Sequence, residues 1–172
     1  MIRSFFYALI CFFALILPAA AQDTSAIQNF FESDNYVDGK RAYDKGDYAT
    51  ALKFWRETAD QGEGPAQYFV GAMYHAGHGV EKDYKLAMEW YTKAAVQDIH
   101  NAQLAIGGMF ADGHGVEKNY VTARMWFILA EIYGSERAIP FLKKLDTRMT
   151  PEEIARSKKM ALDWINNNKI KK

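Results

Sequence analysis

The chain has 172 residues, 49% of them hydrophobic, with 21 basic and 21 acidic side chains. That length suits one domain, and 11 Phe, 10 Tyr and 4 Trp exclude a disordered chain. The even charge argues against nucleic-acid binding, which needs a basic stripe to neutralise phosphates, and the single cysteine excludes an internal disulfide or a thiolate zinc cluster.

Residues 1–21 read as a leader. Arg3 gives a short positive start, Phe5 to Leu17 runs apolar, and Pro18 breaks the run. Ala19-Ala20-Ala21 then supplies the small side chains that a signal peptidase requires. The apolar run falls short of the roughly 20 residues that cross a bilayer. The pattern predicts a signal peptide cleaved after Ala21, and with it a periplasmic or secreted protein. Cys11 lies inside this leader, so the remaining 172 − 21 = 151 residues hold no cysteine. Residues 22–33 follow as a lead-in.

A repeat of 36 residues fills most of what remains. Residues 66–101 and 102–137 align without a gap, and 14 of the 36 positions are identical. Gly77-His78-Gly79-Val80-Glu81-Lys82 returns whole as Gly113-His114-Gly115-Val116-Glu117-Lys118. Ala66-Gln67, Gly71, Met73, Tyr84, Ala87, Trp90 and Ala94 each recur 36 residues on. Such a period marks a repeat architecture. Residues 34–62 form a degenerate first helix pair, with Asp47, Tyr48, Ala51 and Phe54 taking the columns of Asp83, Tyr84, Ala87 and Trp90. Residues 63–101 are the first full repeat and 102–137 the second.

Each unit reads as two helices. Tyr84, Ala87, Trp90, Tyr91, Ala94 and Ala95 form an apolar stripe at helical spacing. Asp47, Asp83 and Asn119 stand just before the three stripes as N-caps. The first helices run from about Pro65 to Ala76 and from about Asn101 to Asp112. Gly71 and Gly107 fall inside them, where glycine costs about 1 kcal/mol relative to alanine. Their recurrence points to a neighbouring backbone at close approach. Gly77 with Gly79, and Gly113 with Gly115, end these helices and turn the chain.

Residues 138–165 read as capping helices. Thr150, Pro151 and Glu153 make a helix start with a capping box. Ile154, Ser157, Met160, Ala161 and Trp164 face inward, and residues 166–172 form a fraying polar tail. The predicted core is Phe54, Val70, Met73, Tyr74, Tyr84, Trp90, Ile106, Met109, Phe110, Tyr120, Trp126, Leu142, Leu145 and Trp164.

These residues resemble the Sel1-like repeat family, a relative of the tetratricopeptide repeats. The resemblance rests on Ala66-Gln67, Gly71, Met73-Tyr74, Gly77-His78-Gly79-Val80, Asp83-Tyr84, Ala87, Trp90-Tyr91 and Ala94-Ala95, with their copies. It covers about residues 38 to 164. It implies an all-α, right-handed solenoid of antiparallel helix pairs. It also implies a non-catalytic adaptor that binds proteins or peptides, often in the envelope of Gram-negative bacteria. One cysteine-rich branch is disulfide-stapled and linked to penicillin binding. This chain departs from that branch, having no cysteine beyond its leader.

His75, His78 and His114 invite a metal reading. No thiolate or dense carboxylate cluster joins them, and His78 and His114 sit in the variable slot of a glycine turn, which reads as solvent-facing. No metal and no cofactor is expected. No nucleophile elbow, phosphate loop or dinucleotide fingerprint occurs. Gly71, Gly77, Gly79, Trp90, Gly107, Gly113, Gly115 and Trp126 read as structural repeat residues. Tyr36, Tyr43, Tyr68 and His75, with Leu104 and Ala111 at the equivalent places of the second repeat, fall on first helices. In stacks of the tetratricopeptide kind those helices line the concave surface. Two readings of these aromatics stand: anchors for a peptide, or seals of the first helix pair. The function expected is a periplasmic protein- or peptide-binding module. A cell-wall hydrolase or penicillin-binding enzyme is the alternative from another class, and a structural stabiliser of an envelope complex is a third.

Overall fold

A computed structural model describes residues 24–169. The leader reading falls on residues 1–21, outside the described residues. Nine α-helices and one short 3-10 turn follow in order among the described residues: α1 (Thr24–Glu32), α2 (Asp34–Asp44), α3 (Tyr48–Asp60), α4 (Gly64–Ala76), α5 (Tyr84–Ala95), α6 (His100–Asp112), α7 (Tyr120–Ile132), the turn Glu136–Ala138, α8 (Ile139–Asp146) and α9 (Pro151–Lys169). The most extensive packing pairs α2 with α3, α4 with α5 and α6 with α7. These are three helical hairpins, stacked through α3 on α4 and α5 on α6. The fold is an α-solenoid.

The helix ends obey the residues that were predicted to set them. Asp47, Asp83 and Asn119 accept hydrogen bonds from the amides of Thr50, Leu86 and Thr122 at 3.2, 2.9 and 2.9 Å. Gly77 and Gly113 close α4 and α6 in the left-handed region, with φ of 77° and 80°. Each amide returns to a carbonyl, Met73 or Met109, at 2.8 Å. The capping box of α9 is closed from both sides. The Thr150 amide donates to Glu153 Oε2 at 2.9 Å, and the Glu153 amide donates to Thr150 Oγ1 at 3.3 Å.

Inside each hairpin an aromatic ring lies over a glycine. A Cβ on Gly71 would stand 2.7 Å from Tyr91 Cδ1, and one on Gly107 2.6 Å from Phe127 Cδ1. The close approach is first to a ring of the paired helix, and at Gly71 also to its backbone, the Ala87 carbonyl oxygen at 3.2 Å. Gly39 of α2 carries Trp55 in the same way. Trp55 is buried and Phe54 only half-buried, so Phe54 is corrected as the core residue of α3. Trp55 stands 36 residues before Tyr91, in the column that carries the ring over glycine, and not in the Trp90 column.

Val70, Met73, Trp90, Ile106, Met109, Trp126, Leu142 and Leu145 are buried as expected. Tyr74, Tyr84, Phe110, Tyr120 and Trp164 are half-buried against the core clusters. Hairpins are tied together by a repeated buried amide. Gln67 and Gln103 donate to the carbonyls of Ala59 and Ala95 at 3.3 and 3.2 Å, satisfying the last turns of α3 and α5.

Both ends of the described chain are helical. Within the lead-in, α1 occupies Thr24–Glu32 and places Phe30 in the first core cluster. At the other end α9 is helical from Pro151 through Lys169, the last of the described residues. Ser157 and Ala161 are its buried inward face. Arg124 of α7 is buried under this cap, donating to Asp146 at 2.8 Å and to Ser157 Oγ at 3.0 Å.

Candidate functional site

The connection within the first hairpin is residues 45–47, whereas residues 77–83 and 113–119 connect the next two. The four-residue difference shifts the first helix of the degenerate unit. Gly39 matches Gly71 at a spacing of 32, while Asp47 matches Asp83 at 36. By that shift Tyr36, Tyr68 and Leu104 are one column of the solenoid, and Tyr43, His75 and Ala111 are another. The six candidate residues thus fall on two rows that run across all three hairpins.

The rows do not share one environment. Tyr36, Tyr43 and Tyr68 line a groove of about 300 Å³ between α2 and α4. Trp55 and Phe69 line it too, stacked with ring centroids 4.6 Å apart. Lys40 and Asp44, joined at 2.5 Å, stand at its polar edge and are more than half exposed. Burial holds the Tyr68 hydroxyl above the usual tyrosine pKa. A second, smaller hollow of about 100 Å³ adjoins on the other side of Tyr68 and Phe69, lined by Phe31, Pro65 and Ile99 among others. The two hollows share Tyr68 and Phe69 in their linings.

Leu104, His75 and Ala111 lie elsewhere. Leu104 is buried at 9% exposure, among Val121, Phe127 and Leu142, so it presents no free surface. Ala111 is half-buried against the same cluster. His75 packs at the junction of the two full repeats, edge-on to Tyr84 at 5.1 Å and 5.7 Å from the His114 ring.

The loop histidines are not solvent-facing. His78 stacks flat on Tyr48 at 4.3 Å, and its Nδ1 pairs with the Tyr43 hydroxyl at 2.9 Å. His114 stacks flat on Tyr84 at 4.7 Å. The second glycine of each loop makes this possible. A Cβ on Gly79 would stand 2.7 Å from the Tyr48 carbonyl carbon, and one on Gly115 2.6 Å from Tyr84 Cβ. Each Gly-His-Gly loop thus clamps the start of the preceding hairpin's second helix. Among the described residues no group of three or more His, Cys, Asp or Glu side chains could hold a metal ion.

Residue-level reading missed Trp55, Phe69, Lys40 and Asp44 as groove residues. Trp55 carried a usable signal, its place in the Tyr91 column. Phe69, Lys40 and Asp44 carried none, since they sit outside the repeated positions.

The Sel1 repeat family model matches residues 35–63, 64–98 and 100–131, one match per hairpin. The chain belongs to the Sel1 repeat family. These repeats are generally protein-interaction modules. A search of curated proteins finds no match. Among solved structures, a Sel1 repeat protein from Oxalobacter formigenes is 31% identical, with a TM-score of 0.60 over 63% of this chain and 45% of the other. A protective antigen of uropathogenic Escherichia coli strains, displaying an SLR fold, is 23% identical, with a TM-score of 0.72 over 87% of this chain and 33% of the other. The cysteine-rich protein B of Helicobacter pylori is 23% identical, with a TM-score of 0.51 over 65% of this chain and 99% of the other. The last two likenesses are of fold alone. The chain spans less than half the length of the first two proteins. No helix among the described residues is long and apolar enough to cross a membrane.

Proposed function

We propose that this chain is a non-catalytic adaptor of the bacterial cell envelope that holds a peptide, or a projecting loop of a folded partner, in the aromatic groove between α2 and α4. The observation that carries this reading is the groove itself. Tyr36, Tyr43, Tyr68, Trp55 and Phe69 meet there from three helices, beside an exposed Lys40–Asp44 pair. Rigid aromatic rings lose little conformational freedom on binding and present both apolar faces and polar tips. A charged pair at the edge can exchange partners with a peptide backbone or side chain. The repeated residues are absorbed by packing: glycines under rings, glutamines on carbonyls, histidines on tyrosines. Of the variable first-helix residues, Tyr36, Tyr43 and Tyr68 are left to face the groove.

The envelope setting rests on the leader pattern of residues 1–21. Fractionation of cells expressing the chain with a C-terminal tag tests it. The expected result is a periplasmic or secreted protein whose N-terminus is Gln22, and an intact chain in the cytoplasm contradicts it. The groove is tested by a photo-crosslinking residue at Phe69, compared with one at Lys158 on the far side of α9. Envelope extract should give a discrete adduct from the first position and none from the second. Indistinguishable patterns from both positions count against the groove.

A further inference from the structure

The two junctions between hairpins, and the place where the last hairpin meets the C-terminal segment, draw on the same columns of the repeat. At the first, Tyr43, Tyr48 and His78 come together. At the second, the same columns supply His75, Tyr84 and His114. At the third they supply Ala111 and Tyr120, and Arg148 reaches the Tyr120 hydroxyl at 3.4 Å. The second junction therefore differs from the first in a single exchange: a histidine stands where a tyrosine stood. Two imidazole rings then face each other 5.7 Å apart, between the two full repeats.

We propose that this second junction is an acid-sensitive hinge, whose contact between the two full repeats loosens as His75 takes up a proton against the His114 ring. The first junction accommodates the same change. A protonated His78 can donate from Nδ1 to the Tyr43 oxygen at 2.9 Å while its ring stays flat on Tyr48, where a cation is attracted to the aromatic face. At the second junction no phenol oxygen replaces the one Tyr43 provides. A proton on His75 there is opposed by the His114 ring and Lys82, in a half-buried place.

The groups that face His75 act in both directions. Tyr84 and Tyr91 of α5 pack on its ring without charge. Lys82, from the loop after α4, and His114 oppose its protonation. Asp112, at the end of α6, favours it and is the weaker influence. Burial comes first among the causes, and together they hold His75 below the ordinary histidine pKa. The unfolded chain therefore takes the proton first as pH falls. Stability tied to this group is intact above about pH 6.5 and is lost as pH falls through the folded value.

Histidine NMR and amide hydrogen exchange of the purified protein between pH 7.5 and 5.5 test the hinge. His75 should titrate below the ordinary histidine value, and its midpoint should rise in His114→Gln, because an opposing influence is removed. Exchange in α4 to α6, corrected for intrinsic rates, should rise about tenfold on acidification. His75→Tyr rebuilds the first junction's tyrosine–histidine pair and should abolish most of that rise. His114→Gln should do the same, so the test stands if one variant fails to fold. An unchanged His75 midpoint in His114→Gln overturns the proposal. So does an undiminished acid-induced opening in whichever variant folds.

Discussion

Tyr91 lies over Gly71 so closely that a Cβ on the glycine would stand 2.7 Å from the ring. Phe127 over Gly107 and Trp55 over Gly39 repeat the arrangement, so each hairpin closes on a glycine–ring contact. Substituting Gly71 or Gly107 by alanine gains helix propensity, but it forces a buried ring to move. Overpacking of this kind costs about 1–3 kcal/mol. Gly108, in the same helix as Gly107, has nothing within 4 Å of its would-be Cβ. Gly108→Ala should stabilise by up to about 1 kcal/mol. Urea unfolding of the three variants should show two losses and one gain.

The caps give a second set of expectations. Asp83 and Asn119 each satisfy one free amide in the first turn of the second helix. Asp83→Ala and Asn119→Ala should each cost about 1 kcal/mol, read as a lower thermal midpoint. Asp83→Asn should recover most of the loss, since Asn119 performs the same task one repeat later.

Arg124 is the one buried guanidinium among the described residues, and the C-terminal cap supplies its partners. Asp146→Asn leaves that charge without its carboxylate and should destabilise the fold by about 2 kcal/mol. The figure is moderate because the Asp146 side chain is 45% exposed. Replacing Arg124 by Met in the Asp146→Asn background should restore much of the loss. A double-mutant cycle in urea measures the coupling.

Tyrosine ionisation sets the behaviour at high pH. Burial raises Tyr91 well above the usual phenol value, and burial together with Asp98 pushes Tyr133 up to about 12. The unfolded chain loses these protons near pH 10, before the folded protein does. Stability should therefore fall as pH rises from about 10 toward 12. Tyr91→Phe should lose less stability between pH 9 and pH 11 than the parent. Tyr120 moves the other way, lowered by Lys118 and Arg148, and should be the first phenol seen in a spectrophotometric titration.

Much of this architecture was legible because a repeat states its packing several times. The stripe, the caps and the Gly-His-Gly loop recur, and each recurrence removes an accidental explanation. The four-residue contraction of the first connection hid the rest. At a spacing of 36, Gly39 aligns with His75 and its match to Gly71 is hidden, so the spacing points to Phe54 where Trp55 carries the ring. The histidines were misplaced for a different reason. A Gly-x-Gly turn in isolation points its side chain to solvent, and only the stacking of hairpins brings Tyr48 and Tyr84 beneath it. The candidate row broke up because its members meet different neighbours. Tyr36, Tyr43 and Tyr68 line the groove between the first two hairpins. Leu104 is sealed by α7 and the C-terminal helices.

The aromatic groove is the central claim, and a binding comparison tests it most directly. Peptides selected from a random displayed library on the intact protein would be measured by calorimetry against the parent, Tyr68→Ala and Leu162→Ala. Leu162 is 60% exposed on α9, away from the groove. With folding of each variant confirmed by circular dichroism, Tyr68→Ala should weaken binding about tenfold or more, near 1.4 kcal/mol, and Leu162→Ala should leave it unchanged. Equal affinity for the parent and Tyr68→Ala, or a library that yields no binding peptide, would contradict the account.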